Sequence, residues 1–226
     1  MKRKMIFYFK NLRSNKLKTR SYKLNGGMTY VELIVVLSIF ATMSSIVLFN
    51  YNGFEDKVDI KILANDIALK IVEAQKSAIS GTLNFNALPD WKPAYGIYFD
   101  SSSDIDTSVE PNIPFSKEFI YFADLNDPTQ NNLYDYSNCG GTGECLDKII
   151  ITKGNYIQEI DSYIGDVATP ITDPISITFT RPNSSAVFSS EGILLSGFDY
   201  IQITISSPSS LKAYIKIYPS GRVQIN

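Results

Sequence analysis

The chain has 226 residues, of which 44% are hydrophobic and 19% are charged, a composition typical of a folded domain with appendages rather than of a disordered chain. It contains no histidine, which excludes His-based catalytic triads and every zinc site that needs imidazole. Its two cysteines are too few for a four-thiolate metal site or an iron–sulfur cluster.

The charged residues are distributed unevenly along the chain. Residues 1–27 hold nine of the 21 Lys and Arg residues and none of the 23 acids, so residues 28–226 combine 12 basic with 23 acidic residues, a net charge of −11. A basic arm alone is typical of a nucleic-acid-binding tail. Here it directly precedes an apolar run, and positive charge that flanks a hydrophobic segment stays on the cytoplasmic side of a membrane.

The apolar run begins at Leu33, ends at Phe49 and contains no charged residue. A helix of about 17–22 residues spans about 25–33 Å, which is near the thickness of the hydrocarbon core of a bilayer. The run therefore predicts a transmembrane helix. Two alternatives are a buried core helix and a cleavable secretory signal, although the small-residue pair of this chain precedes the apolar run instead of following it.

Glu32 is the only charged residue between Met28 and Phe54. A carboxylate at the edge of a bilayer costs a few kcal/mol unless it is paired, which marks Glu32 as a candidate functional residue. The alternative is that Glu32 lies at headgroup level, where the dipole at a helix N-terminus favours a negative charge.

The sequence GGMTYVEL at 26–33 joins the basic leader to the apolar run. This arrangement resembles the N-terminus of the type IV prepilin family, which includes the pseudopilins of type II secretion. The family pattern is a basic leader ending in glycine, then a hydrophobic residue, often Thr, two more residues, Glu, Leu and an apolar helix. Two residues depart from it: Met28 stands where Phe is commoner, and Phe49 stands where many major pilins have a proline.

The resemblance implies that a prepilin peptidase cleaves the Gly26-Gly27-Met28 junction after Gly27, at the cytoplasmic face of the membrane. It also implies N-methylation of Met28 and pairing of Glu32 with the terminal amine of a neighbouring subunit. The implied partners are the peptidase/N-methyltransferase, other pilin or pseudopilin subunits, an inner-membrane assembly platform, and membrane lipid before assembly. The chain would cross the cytoplasmic membrane once, N-terminus inside, and then enter a pilus or pseudopilus.

Beyond the apolar run, the pattern predicts one helix that continues to Ser80 and then a β-rich head. Apolar residues recur at three- and four-residue steps over 56–80, and Gly81 is a candidate C-cap. Alternation of Tyr, Phe, Ile, Thr and Ser predicts strands at 95–99, 119–123, 148–152, 175–180, 200–206 and 213–218, with shorter ones at 186–188 and 221–225.

The predicted fold is α+β and pilin-like: a long N-terminal helix whose amphipathic second half packs on an antiparallel sheet. Four segments follow: the cleaved basic leader 1–27, the transmembrane or filament-core helix 28–54, the amphipathic helix 55–81 and the β-rich head 82–226. The early YGIYF strand and the closing IYPSGRVQI hairpin resemble those of H-type minor pseudopilins.

Two candidate sites lie in the head. Cys139 and Cys145 predict a disulfide if the head is exported, the alternative being two free thiols in a reducing environment. The segment 124–135 offers oxygen ligands at Asp124, Asn126 and Asp135, which makes a loose calcium loop a candidate. An EF-hand is excluded because Pro128 and Thr129 stand where that loop needs a ligand and a glycine, and a solvated turn is the alternative.

The resemblance and the segments together predict a structural subunit, not an enzyme, that carries no cofactor other than the candidate calcium. The length of the chain favours a minor subunit. Two alternatives stay open: a head that binds a ligand such as DNA or a surface, and a membrane-anchored extracytoplasmic enzyme or binding protein. The acidity of residues 28–226 argues against DNA, although a local basic patch would override it.

Overall fold

A computed structural model describes residues 27–84, 86–87, 91–106, 113–125, 130–135, 139 and 143–226, with backbone alone at 49–52. The chain divides into two compact units, Met1–Val47 and Leu48–Asn226. The second unit holds all the strands of the described residues. The predicted α+β class is confirmed, with one long apolar N-terminal helix and antiparallel sheets.

The helix α1 runs over Tyr30–Ser80, 51 residues, and both of its ends are capped by sequence-local hydrogen bonds. At the start, the hydroxyl of Thr29 accepts the backbone N–H of Glu32 at 3.2 Å. At the end, Gly81 takes φ +62°, and the N–H groups of Gly81 and Thr82 bond the carbonyls of Ala78 and Ser77 at 3.0 and 3.1 Å. This pair of bonds is the Schellman motif, which glycine favours because it has no Cβ.

The described residues form thirteen strands and one short 3₁₀ helix at Phe115–Lys117. The strands are β1 (Ala94–Phe99), β2 (Ile105–Asp106), β3 (Ile113–Pro114), β4 (Glu118–Asp124), β5 (Cys145–Ile150), β6 (Tyr156–Ile164), β7 (Val167–Pro170), β8 (Ile175–Phe179), β9 (Ala186–Ser190), β10 (Ile193–Leu195), β11 (Tyr200–Ser206), β12 (Lys212–Ile217) and β13 (Val223–Ile225).

The strands pair into two main antiparallel sheets instead of the one sheet that the sequence predicts. One sheet has six strands in the order β10-β9-β8-β1-β4-β5, and the other has five in the order β13-β12-β11-β6-β7; β2 and β3 form a small ribbon. The pattern of alternating residues identifies which strands exist but not which sheet each one joins, since that depends on pairings between distant residues.

A single core joins the amphipathic half of α1 to the inner faces of both main sheets. The helix contributes a fully or almost fully buried stripe with three- and four-residue steps: Ile60, Ala64, Ile67, Ile71, Ala74 and Ala78. Alanine at three of these positions lets the helix backbone approach the sheets closely. The sheets meet it with inward-facing aromatic and β-branched side chains, among them Phe99, Phe119, Phe179, Ile203 and Ile215.

The outer face of the six-stranded sheet carries a second, smaller buried cluster: Tyr98, Ile120, Phe122, Tyr134 and Cys145. Gly96 on β1 lies opposite Phe122 on β4, and a Cβ at Gly96 would come within 2.8 Å of the Phe122 ring. The glycine therefore makes room for the aromatic ring on the sheet. Residues 131–135, which we call the covering segment, lie over this face with Tyr134 in the cluster, so the sheet has apolar contacts on both sides.

The core predicts different effects for two Ile→Ala changes on the same helix. Ile67 is fully buried, whereas Ile62 is half exposed. We expect Ile67→Ala to lower the free energy of unfolding by about 2–5 kcal/mol because it removes buried methyl groups and leaves a cavity. Chemical denaturation of the detergent-solubilised chain, followed by tyrosine fluorescence, measures the difference. Ile62→Ala is the matched control, with an expected change within about 0.5 kcal/mol; equal losses for both variants would contradict this packing.

Candidate functional site

The N-terminal part of α1 is apolar on every side, and its large apolar side chains are exposed in the part of the chain that the structure describes. All thirteen large apolar side chains from Tyr30 to Leu48 are exposed, with exposed fractions from 44% at Leu33 to 76% at Tyr30. The most apolar 18-residue window has a mean hydropathy of 2.3, and none of it is buried. The helix is therefore long and apolar enough to cross a membrane, and it is not the buried core helix considered as an alternative.

The candidate residues of the processing and assembly site gather at the start of this helix. Gly27 and Met28 precede it, and both are exposed, as is Glu32 in its first turn. Gly26 lies outside the described residues, as does the side chain of Phe49 at the end of the predicted apolar run. A Cβ at Gly27 would meet no atom within 4 Å, so packing does not account for that glycine.

Thr29 and Glu32 form the first half of a capping box, the T-x-x-E pattern in which the N-cap hydroxyl accepts the N3 amide. The carboxylate of Glu32 also lies where the helix dipole favours a negative charge. These two effects explain how Glu32 is tolerated at the start of an apolar helix. They are local, and an uncharged glutamine would also suit the capping box.

The predicted disulfide between Cys139 and Cys145 is confirmed. Cys145 begins β5 and is buried in the outer-face cluster, where Cys139 packs against the same side chains. The disulfide therefore ties Cys139 to β5, the edge strand of the six-stranded sheet. In the chain-entropy model, a disulfide that closes a short loop stabilises the folded state because it lowers the conformational entropy of the unfolded chain.

Two acidic side chains beside this disulfide, Glu144 and Asp124, accept hydrogen bonds from backbone amides, and a third, Asp135, accepts the side-chain amide of Asn131 at 3.1 Å. Glu144 accepts the N–H of Leu125 at 2.9 Å and the N–H of Asp135 at 2.7 Å. Asp124, which is fully buried, accepts the N–H of Asn132 at 2.8 Å. The carboxylates thus tie the end of β4 to the covering segment. Sequence reasoning identified Asp124 and Asp135 but missed Glu144, although an acid beside Cys145 within the short loop was the available signal.

The covering segment is also held by hydroxyl groups of the sheet. The Ser176 hydroxyl accepts the N–H of Tyr134 at 3.1 Å, and the Thr178 hydroxyl donates to the Asn132 side chain at 3.1 Å. Ser189 donates to the Asn132 carbonyl. These contacts place a row of small polar side chains, from neighbouring strands β8 and β9, beneath residues 131–135.

The candidate calcium loop is only partly within the described residues. Asn126 lies outside them, while Asp124 accepts the N–H of Asn132 and Asp135 accepts the side-chain amide of Asn131. Within the part of the chain that the structure describes, no group of three or more His, Cys, Asp or Glu side chains could hold a metal ion. Calcium binding at Asp124, Asn126 and Asp135 stays a prediction.

Burial raises the pKa of Glu144 from its ordinary value of 4.5 to about 7; the two backbone hydrogen bonds oppose the rise, and the charges of Asp124 and Asp135 add to it. The folded chain therefore holds a proton on Glu144 at pH values where the unfolded chain has released it. Because the native state binds more protons in this window, the free energy of unfolding falls as the pH rises from about 4.5 to about 7.

Comparison with protein-family models, curated proteins and solved structures finds no match to this chain.

Glu144→Gln tests the electrostatics of the acidic cluster. We expect the wild-type chain to lose stability between about pH 4.5 and about pH 7, and the variant to lack that part of the slope because glutamine does not titrate. Urea unfolding at a series of pH values, with a chelator present, gives the two profiles. Asp173→Asn, an exposed acid of the same chain, is the control and should keep the wild-type slope; parallel profiles for wild type and Glu144→Gln would contradict the raised pKa.

Proposed function

We propose that this chain is a prepilin-like structural subunit, a pilin or pseudopilin and by its length a minor one, of a type IV pilus or type II secretion-like filament. The observation that carries the proposal is the order of features at the N-terminus: basic leader, Gly27, Met28, Glu32 and an apolar helix exposed on every side. The α+β layout, with the second half of the helix packed on antiparallel sheets, is compatible with that role.

In this proposal the chain first resides in the cytoplasmic membrane. The nine basic residues of the leader remain on the cytoplasmic side, and the strand-rich unit lies on the other side, where its disulfide persists. A prepilin peptidase cuts after Gly27 and methylates the new amino group of Met28. The chemistry is performed on the chain by its partners, and the role of the chain is assembly.

Assembly moves the apolar helix from lipid to the side of other subunits' helices. Lipid tails and the apolar side chains of other helices are similarly favourable surroundings for this helix. Apolar contact alone therefore does not determine how neighbouring helices are aligned. Glu32 supplies that alignment, because a lone carboxylate and a lone ammonium are each costly in an apolar surrounding and pairing relieves both. The proposed partner of Glu32 is the amino terminus of a neighbouring subunit.

Glu32→Gln separates the proposed pairing from the local capping role. Glutamine keeps the size of the side chain and suits the capping box, but it has no charge to pair with an amine. We expect the variant to insert into the membrane normally and to lose filaments by about tenfold or more, as the loss of one partner of a buried pair predicts. Electron microscopy and quantification of sheared filaments measure the yield.

Glu55→Gln is the matched control, because Glu55 is an exposed glutamate of the same helix beyond the apolar run. It should assemble like wild type. A wild-type filament yield from Glu32→Gln would reject the proposed assembly role and favour a helix that is only a membrane tether.

A further inference from the structure

A basic, partly apolar groove lies at one end of the second unit, between the helix and the end of the five-stranded sheet. It has a volume of about 480 Å³. Its walls carry the side chains of Lys57, Lys61 and Lys212, and its apolar lining includes Ile60 and Leu211. Among the described residues, Glu159 lies 3.5 Å from Lys212 in an exposed ion pair of small worth, and Asp161 is also within electrostatic range of Lys212. We call this feature the lysine groove.

An acidic, apolar projection lies at the tip of the β6–β7 hairpin. Ile164 and Val167 flank the turn with 62% and 67% of their surface exposed, which is unusual for a turn, where small polar residues dominate. The turn between them carries Asp166, and Asp199 bonds the N–H of Gly165 at 2.7 Å. Asp166 and Asp199 are both exposed. We call this feature the acidic tip.

The lysine groove and the acidic tip lie at opposite ends of the same sheet. Strand β11 links them: Ser206 at its end pairs with Lys212 beside the groove, and Tyr200 at its start pairs with Tyr163 beside the tip. The two pairings are six residue steps apart along β11, about 20 Å. The tip of one molecule therefore cannot reach the groove of the same molecule, but it can reach the groove of another.

We infer that the acidic tip of one copy docks into the lysine groove of the next copy, an inference that rests on the proposed filament role. The two features match in charge, acidic against basic, and both include exposed apolar side chains: Ile164 and Val167 at the tip, and Ile225, 37% exposed, in the lining of the groove. A membrane lipid with an anionic headgroup would suit the groove, but it would leave the apolar residues of the tip unexplained. The second copy accounts for both features at once.

This contact has the geometry that a filament needs. A surface at one end that fits a different surface at the other end is heterologous, and such contacts extend into open helical assemblies when the rotation does not close a ring. The contact is small, so the bulk of the assembly energy would come from helix packing. The docked tip would set the register between successive heads, as charge complementarity does in other interfaces.

Site-specific cross-linking of the full chain in membranes tests the contact. Ala168→Cys places a thiol beside the tip, and Asn65→Cys places one in the wall of the groove; both positions are exposed. The native chain has only the two cysteines of its disulfide, so a bismaleimide reacts with the introduced thiols alone. We expect a ladder of dimers, trimers and higher species from the double variant and no ladder from either single variant.

Charge exchange then tests the specificity of the contact. In the cross-linking background, Asp166→Lys or Lys61→Asp alone should lower the ladder by about tenfold or more, because like charges face each other, and the two together should restore it. Asp173→Lys and Lys76→Asp make the same charge changes at exposed positions outside the tip and the groove, and they should leave the ladder unchanged.

The outcomes separate this inference from the proposed function. Filaments without a ladder would overturn the docking contact and leave the filament role standing. A ladder without filaments would uphold the contact and reject the filament role. Loss of the ladder in Lys61→Asp with no loss in Asp166→Lys and no restoration in the combined variant would overturn the tip as the occupant of the groove.

Discussion

The rest of this structure depends on the surroundings of one apolar helix. Thirteen large apolar side chains from Tyr30 to Leu48 are exposed, and covering each of them gains about 1.5–3 kcal/mol, on the order of 20–40 kcal/mol together. That exceeds the whole net stability of an ordinary domain, about 5–15 kcal/mol, and the few kcal/mol that the Glu32 carboxylate costs. The helix is therefore apolar enough that lipid or other helices would cover it favourably, and in the proposed assembly Glu32 biases how it is arranged there.

The second half of the same helix differs from the first because its apolar residues are buried within the chain's own core. From Ile60 to Ala78 it buries one stripe against two sheets, so its polar residues face outward and the rest of its surface stays available. The acidic cluster at Glu144 fastens the covering segment to the far face of the six-stranded sheet, and the disulfide ties Cys139 to its edge strand. The head is thereby held together on both sides, while the features left exposed, the lysine groove and the acidic tip, are ones that another molecule can use.

Sequence reasoning predicted the parts of the fold that have local causes. The helix ends, the strand at Tyr200–Ser206 and the disulfide all follow from caps, alternation or short spacing.

Strand β6 was missed because a register shift at Thr204/Ile205 turns both Ile157 and Ile160 inward, and this three-residue step resembles the spacing of a helix. Strand β5 was predicted at 148–152 but occupies Cys145–Ile150, since pairing with β4 sets its start. The contacts of Glu144 join residues from three segments, and no local pattern predicts them.

The central claim is that the chain is cut after Gly27 to release an apolar helix for assembly. Intact-mass and peptide mass spectrometry of the chain, recovered from membranes of cells that contain an active prepilin peptidase, tests this most directly. The account predicts a chain that begins at Met28 with a methylated amino group and keeps all residues from there to Asn226. A full-length chain that retains the basic leader in those membranes would contradict it.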